Sequence, residues 1–181
     1  MKDIVNMKKA NFIVYTVLAL LFGAAALLVF LSQGDRELRR ALEENREFLV
    51  RVDGEDIAAV SLQDLVELGP QEFTTNFATS IASPRKATLR GVELRKLLEA
   101  LEIEIDHASH FVVSGLDSYY SPLTLAEVLR DEHIYVCFEM DGEILKTQSE
   151  GGYGPFLTVL RDSRFAQRWC KYVEAIDVIN A

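Results

Sequence analysis

The first hydrophobic feature of the chain is an uninterrupted run. Phe12 to Leu31 is twenty residues without a charge, and as a helix rising ~1.5 Å per residue it would measure about 30 Å, the hydrocarbon thickness of a bilayer. The pattern then changes. Asp35 to Arg46 is rich in helix formers and sets Leu38, Ala41 and Leu42 on one side. It predicts a short solvated helical stalk whose charges need no partner. Beyond Arg46 the apolar runs shorten and turn residues separate them, which predicts strands. These are Phe48 to Val52 ahead of an Asp53-Gly54 turn, Phe111 to Gly115, His133 to Met140, Glu143 to Thr147, Phe156 to Leu160 and Lys171 to Ile179.

Helical signals in this region are few. Ser61 with Asp64 three residues on is an N-cap and partial capping box for a helix over Leu62 to Leu68, stopped by Gly69-Pro70. Thr124 with Glu127 repeats the signal for a shorter helix. Gly91 to Leu101 puts Val92, Leu94, Leu97, Leu98 and Leu101 on one stripe, as expected of a helix packed on a sheet. The prediction is a strand-dominated α+β domain preceded by one transmembrane helix. The segments are a tail over residues 1–11, an anchor over 12–32, a stalk over 33–46 and the domain over 47–181.

Composition refines this outline. With 181 residues, 49% hydrophobic and 26% charged, there is room for one globular domain plus the appendage. Lys8-Lys9 ahead of the apolar run and Ala24-Ala25-Ala26 within it also satisfy a signal-peptide pattern. Cleavage there would leave Leu27 to Leu31 at a free apolar end, so an uncleaved anchor is the preferred reading. Basic residues stand on both sides of the run; the expectation is a short cytoplasmic tail and an extracytoplasmic domain in the cell membrane. Ala19 and Gly23, at small-x-x-x-small spacing, point to a membrane-protein partner. Residues 46–181 carry thirteen Lys and Arg against twenty-three Asp and Glu, a net of −10, so phosphate backbones would be repelled and nucleic acid is excluded as a partner. Cys137 and Cys170 both fall in strand runs, where a buried thiol is the first expectation, and a disulfide or a reactive thiol the alternatives.

Several segments could carry chemistry. Glu150-Gly151-Gly152-Tyr153-Gly154-Pro155 concentrates glycines that let a backbone approach a ligand and turn its N–H groups outward toward an anion. The alternative is a turn that only links two strands. Arg168 and Lys171 offer a fork of donors and a point charge suited to an anionic group, or else flank a buried Trp169 on an edge strand. Asp117, Tyr119 and Tyr120 follow a strand on a connecting loop, where they could hold a flat heterocycle or simply roof the core. His107 and His110 are three apart on a loop entering a strand, without a third ligand at a telling distance, so no metal is assigned. His133 reads as a surface residue.

The order of these pieces resembles the molybdopterin-binding domain of the sulfite oxidase family over roughly residues 47–178. The pieces are Gly91-Val92-Glu93-Leu94, Val112 to Tyr120, the strand His133 to Met140 with Asp141-Gly142-Glu143, the glycine loop, and Arg168-Trp169-Cys170-Lys171. The resemblance implies that fold, a molybdopterin cleft bordered by Gly151, Gly152 and Tyr153, and a basic residue of the Arg168–Lys171 run near a cofactor phosphate. It also implies a cysteine ligand to molybdenum upstream of Gly91, where this chain reads Phe73 to Pro84 with no cysteine. Thr79 and Ser80 stand there and could hydrogen-bond a ligand but not replace a thiolate. An arginine that follows Gly-Pro in the family is replaced by Phe156-Leu157. The expectation is a membrane-anchored binding or accessory module for a small anionic or heterocyclic ligand or a protein partner, with molybdopterin as the possible cofactor. The alternatives are a molybdopterin-dependent oxidoreductase with altered metal ligation and a structural subunit of a membrane complex.

Overall fold

The computed structural model describes residues 18, 20–25, 27, 37, 39–77, 85–161 and 168–181. The chain divides into two units, Met1–Ala41 and Leu42–Ala181. In the first, the described residues of the apolar run, 18, 20–25 and 27, are helical and exposed. Among the described residues no helix is long and apolar enough to cross a membrane, and residues 12–17, 19, 26 and 28–31 of the predicted span lie outside them.

Among the described residues of the second unit, a helical turn over residues 42–45 is followed by β1 (Glu47–Val52), β2 (Glu55–Ser61), α1 (Leu62–Glu67), β3 (Gln71–Phe77), β4 (Arg85–Glu93), α2 (Leu94–Ala100), β5 (Ala108–Gly115), β6 (Tyr120–Thr124), α3 (Leu125–Val128), β7 (Ile134–Met140), β8 (Glu143–Ile144), β9 (Leu157–Leu160), β10 (Cys170–Lys171) and β11 (Val173–Asn180). They form a five-stranded sheet, β2-β1-β11-β5-β6, and a six-stranded one, β10-β9-β7-β4-β3 with β8 on β7. β1 and β11 run parallel. Residues from both sheets make one core, in which Phe48 meets Phe156 edge-on at 4.9 Å.

Local chemistry accounts for the turns. The Asp53-Gly54 and Asp141-Gly142 pairs are both left-handed, with φ of 50° and 85°, and 55° and 83°, the conformation that a two-residue hairpin turn needs to match strand twist. Ser61 and Thr124 each cap their helices through full capping boxes with Asp64 and Glu127.

Several expectations are corrected. Gly91 and Val92 belong to β4, not to a helix start, because β4 pairs closely with β7; a Cβ on Gly91 would strike Val136 O and lie 2.7 Å from Cys137 Cα. The helix starts at Leu94. Gln71 to Phe77, for which no strand was predicted, is the edge strand β3, with Glu72, Thr74 and Asn76 exposed and Phe73 and Phe77 buried. Tyr120 opens strand β6 rather than lying on a loop. The strand predicted from Lys171 is broken at Tyr172, whose φ is +54°. His133 is buried, not on the surface. The stalk's charges do have partners at its C-terminal end. Leu42 packs with Leu49 and Ala175, and Glu43 accepts hydrogen bonds from Ser149.

Candidate functional site

The glycine loop connects β8 to β9, and its amides face inward. Gly151 N–H donates to Gln148 O at 3.0 Å, Gly152 N–H to Thr147 O at 2.9 Å and Gly154 N–H to Lys146 O at 2.7 Å. The expected outward cradle for an anion is therefore absent at these three positions. What the glycines provide is close packing. A Cβ on Gly152 would collide with Lys146 O, and one on Gly154 would lie 2.5 Å from Leu145 Cβ. The Gly154–Pro155 peptide is cis. Glu150 closes the loop from within by accepting from Thr147 N–H at 2.8 Å, a bond that holds its carboxyl below the usual range.

Tyr153 is the loop's chemical contribution. Its ring meets Phe77 edge-on at 5.1 Å, Phe77 lies 5.8 Å from Trp169, and Lys171 Nζ sits 4.8 Å from the Tyr153 centroid. Arg85 stands 5.5 Å over the other aromatic, Phe77, with its charge taken by Asp141 at 2.6 Å. Tyr153, Arg85, Asp141, Leu145 and Lys146 line a cleft of about 420 Å³. Trp169 is buried, and among the described residues its Nε1 donor finds no acceptor. Phe77 and Arg85 were missed from the sequence. The alternation Phe73-x-Thr75-x-Phe77 was the available signal.

Arg168 does not join Lys171. Its guanidinium bonds both Glu127 oxygens, at 2.5 and 3.2 Å, and Pro122 O at 2.6 Å. That pairing draws the Glu127 carboxyl down to about 2. Arg168 thus fastens the start of β10 to α3, and the expected Arg168–Lys171 fork on one anion is corrected. Asp117 closes its own turn by accepting from Tyr119 N–H at 3.1 Å. Burial raises the Tyr119 phenol, with Cys170 adding to it and Arg168 opposing. Tyr120 is 60% exposed on the sheet edge. The structure thus gathers Gly152, Tyr153 and Lys171, and sets Asp117, Tyr119 and Arg168 elsewhere. Thr79 and Ser80 lie outside the described residues.

Both cysteines are free and buried. Cross-strand partners share a sheet face, and successive residues alternate. Cys137 stands opposite Leu157, which stands opposite Lys171; Cys170 stands opposite Thr158, which stands opposite Val136. The two thiols therefore occupy opposite faces, on strands two places apart or about 9–10 Å, too far for a disulfide. Burial pushes the Cys137 thiol up, and burial with Asp117 pushes Cys170 up to about 12. Neither is poised to become the thiolate that molybdenum ligation requires. Among the described residues no cluster of His, Cys, Asp and Glu could hold a metal ion. The side chains present therefore do not fit thiolate ligation of molybdenum.

The oxidoreductase molybdopterin binding domain family matches residues 40–181. Comparison with curated proteins returns no match. Among solved structures, the sulfane dehydrogenase SoxCD from Paracoccus pantotrophus is similar with a TM-score of 0.58 and 15% sequence identity, covering 75% of this chain and 38% of that one. The present chain thus spans less than half of that chain's length, and at this identity the likeness is one of fold.

Proposed function

Because the chain belongs to the oxidoreductase molybdopterin binding domain family, we propose that it is a membrane-anchored member of that family which has given up metal chemistry and serves as a binding or accessory module. The observation that carries this reading is the state of its cysteines. The chain has two, both are buried with their thiols raised, and neither lies between Phe73 and Pro84, where the family presents its metal ligand.

The ligand favoured by the wall beside the glycine loop is small, flat and anionic. Tyr153 offers a π face, and Lys171 an ammonium with no carboxylate at ion-pair distance among the described residues. The buried indole of Trp169 backs this wall through Phe77. Arg85 contributes less, since Asp141 already balances it.

The anchor in this proposal is Phe12 to Leu31, supported by its uncharged length. Full-length protein should stay with membranes through high-salt and alkaline washes, and a mature species starting near Leu27 would contradict an uncleaved anchor. Catalysis is tested separately. Protein made in a host that synthesises molybdopterin should show no sulfite-dependent reduction of an electron acceptor above that of the medium, and turnover would refute the accessory role.

A further inference from the structure

The last helical turn before β1 is bound to the cleft's loop, and the contacts fall on a short stretch of it. Leu42 is 4% exposed, covering Leu49 and Ala175 on the five-stranded sheet. Beside it, one oxygen of Glu43 accepts two hydrogen bonds from a single residue, Ser149, through N–H at 3.1 Å and Oγ at 2.9 Å. Arg46 then donates to Leu145 O at 3.4 Å. Its second nitrogen stands 3.8 Å from Glu150, an exposed pairing that adds little. Hydrogen bonds to a carboxylate are about twice as strong as neutral ones, so Glu43 is the principal polar tie, and Leu42 supplies the apolar one.

These ties land where the loop is built. Leu145 and Lys146 line the cleft. The Lys146 and Thr147 carbonyls receive Gly154 and Gly152, the residues on either side of Tyr153. A displacement of Ser149 or Leu145 is thereby passed through two backbone bonds to the Tyr153 wall. The connection is contiguous: Glu43 to Ser149, the stretch 145–150, Gly152 and Gly154, Tyr153.

We propose that Leu42–Arg46 is a strap that sets the order of the loop Thr147–Gly154, so that the state of this strap and the state of the Tyr153 wall are linked. Linkage of this kind is reciprocal: loosening the strap loosens the loop, and loosening the loop loosens the strap. The coupling is a property of the fold and does not depend on which ligand the cleft takes, so it can fail or hold independently of the function proposed above.

Amide hydrogen exchange on the full-length protein in detergent micelles tests it. Glu43→Ala should speed exchange of the amides of residues 149–154 about tenfold while leaving α2 and β7 unchanged. Ser149→Ala, which removes one of the two donors, should produce a smaller rise there and a rise over residues 42–46. The double variant should exceed Glu43→Ala by little, because both substitutions break one contact. Unchanged loop exchange in Glu43→Ala would overturn the strap. So would equal acceleration across α2 and β7, which would mark general destabilisation, or full additivity of the two substitutions.

Discussion

Lys171 holds its ammonium 4.8 Å from the centre of the Tyr153 ring, while Arg168, on the same short segment, bonds Glu127 and Pro122 instead. Two basic residues that look equivalent in sequence should therefore fail differently. Lys171→Ala should weaken binding of a pterin monophosphate by about tenfold, the worth of one charge-assisted contact, and cost no more than about 1 kcal/mol of stability, the range of a cation–π contact. Arg168→Ala should leave that binding nearly unchanged and destabilise by about 1–2 kcal/mol, the value of its bonds to a carboxylate discounted for partial exposure. Calorimetric titration alongside denaturant melts checks both. Equal loss of binding in the two variants would return Arg168 to the site.

The same pair predicts a pH dependence. Its bond to Arg168 brings Glu127 from an ordinary 4.5 to about 2 in the folded chain, so the folded state binds fewer protons at this group than the unfolded one. The stability it contributes is complete above about 4.5 and is lost as pH falls through about 2. The gap in unfolding free energy between wild type and Arg168→Ala should therefore narrow between those values, as followed by urea melts across that window.

Glycine substitutions separate packing from turn geometry. Gly152→Ala and Gly154→Ala press a methyl group into the Lys146 carbonyl and Leu145 respectively, and the backbone must move; each should cost about 2–3 kcal/mol or more. Gly142→Ala meets no atom within 4 Å and carries only the penalty of its +83° φ, about 1 kcal/mol. Thermal midpoints of the three variants give the ranking.

Thr158 is fully buried in β9, and among the described residues its hydroxyl has no partner. Thr158→Val keeps the shape and removes an unsatisfied group, so it should stabilise the domain by about 1 kcal/mol. Trp169→Ala, emptying the place of a buried indole beside Phe77, should cost about 3–5 kcal/mol. A destabilised Thr158→Val in the same denaturant series would mean that its hydroxyl has a partner in solution.

Much of the fold was legible in the sequence because its signals are local. Asp53-Gly54 and Asp141-Gly142 specify their turns from two residues, and Ser61 with Asp64 and Thr124 with Glu127 specify helix starts from four. The β-branched and aromatic residues of 134–140 and 173–178 mark both as strands, with Glu139, Glu174 and Asp177 the less buried positions. What escaped was decided by distant partners. Gln71 to Phe77 reads as polar because an edge strand keeps one face wet. Gly91 looks like a helix opener, yet it is a strand residue because β7 runs against it. Of the candidate site residues, Tyr153 and Lys171 lie against each other. Arg168 was assigned to the same anion because nothing near it in sequence announces Glu127, 41 residues away and already engaged as a capping residue. The direction of the glycine amides was equally hidden, since the carbonyls of residues 146–148 decide it.

Metal content is the most direct test of the account. Full-length protein should be purified from a host that makes molybdopterin, without chelators, and its molybdenum counted per chain by elemental mass spectrometry, with Cys137→Ser and Cys170→Ser prepared in parallel. With both thiols buried and raised, the prediction is far less than one molybdenum per chain and no change in that content on either substitution. About one molybdenum per chain, lost when either cysteine is replaced, would contradict the central claim.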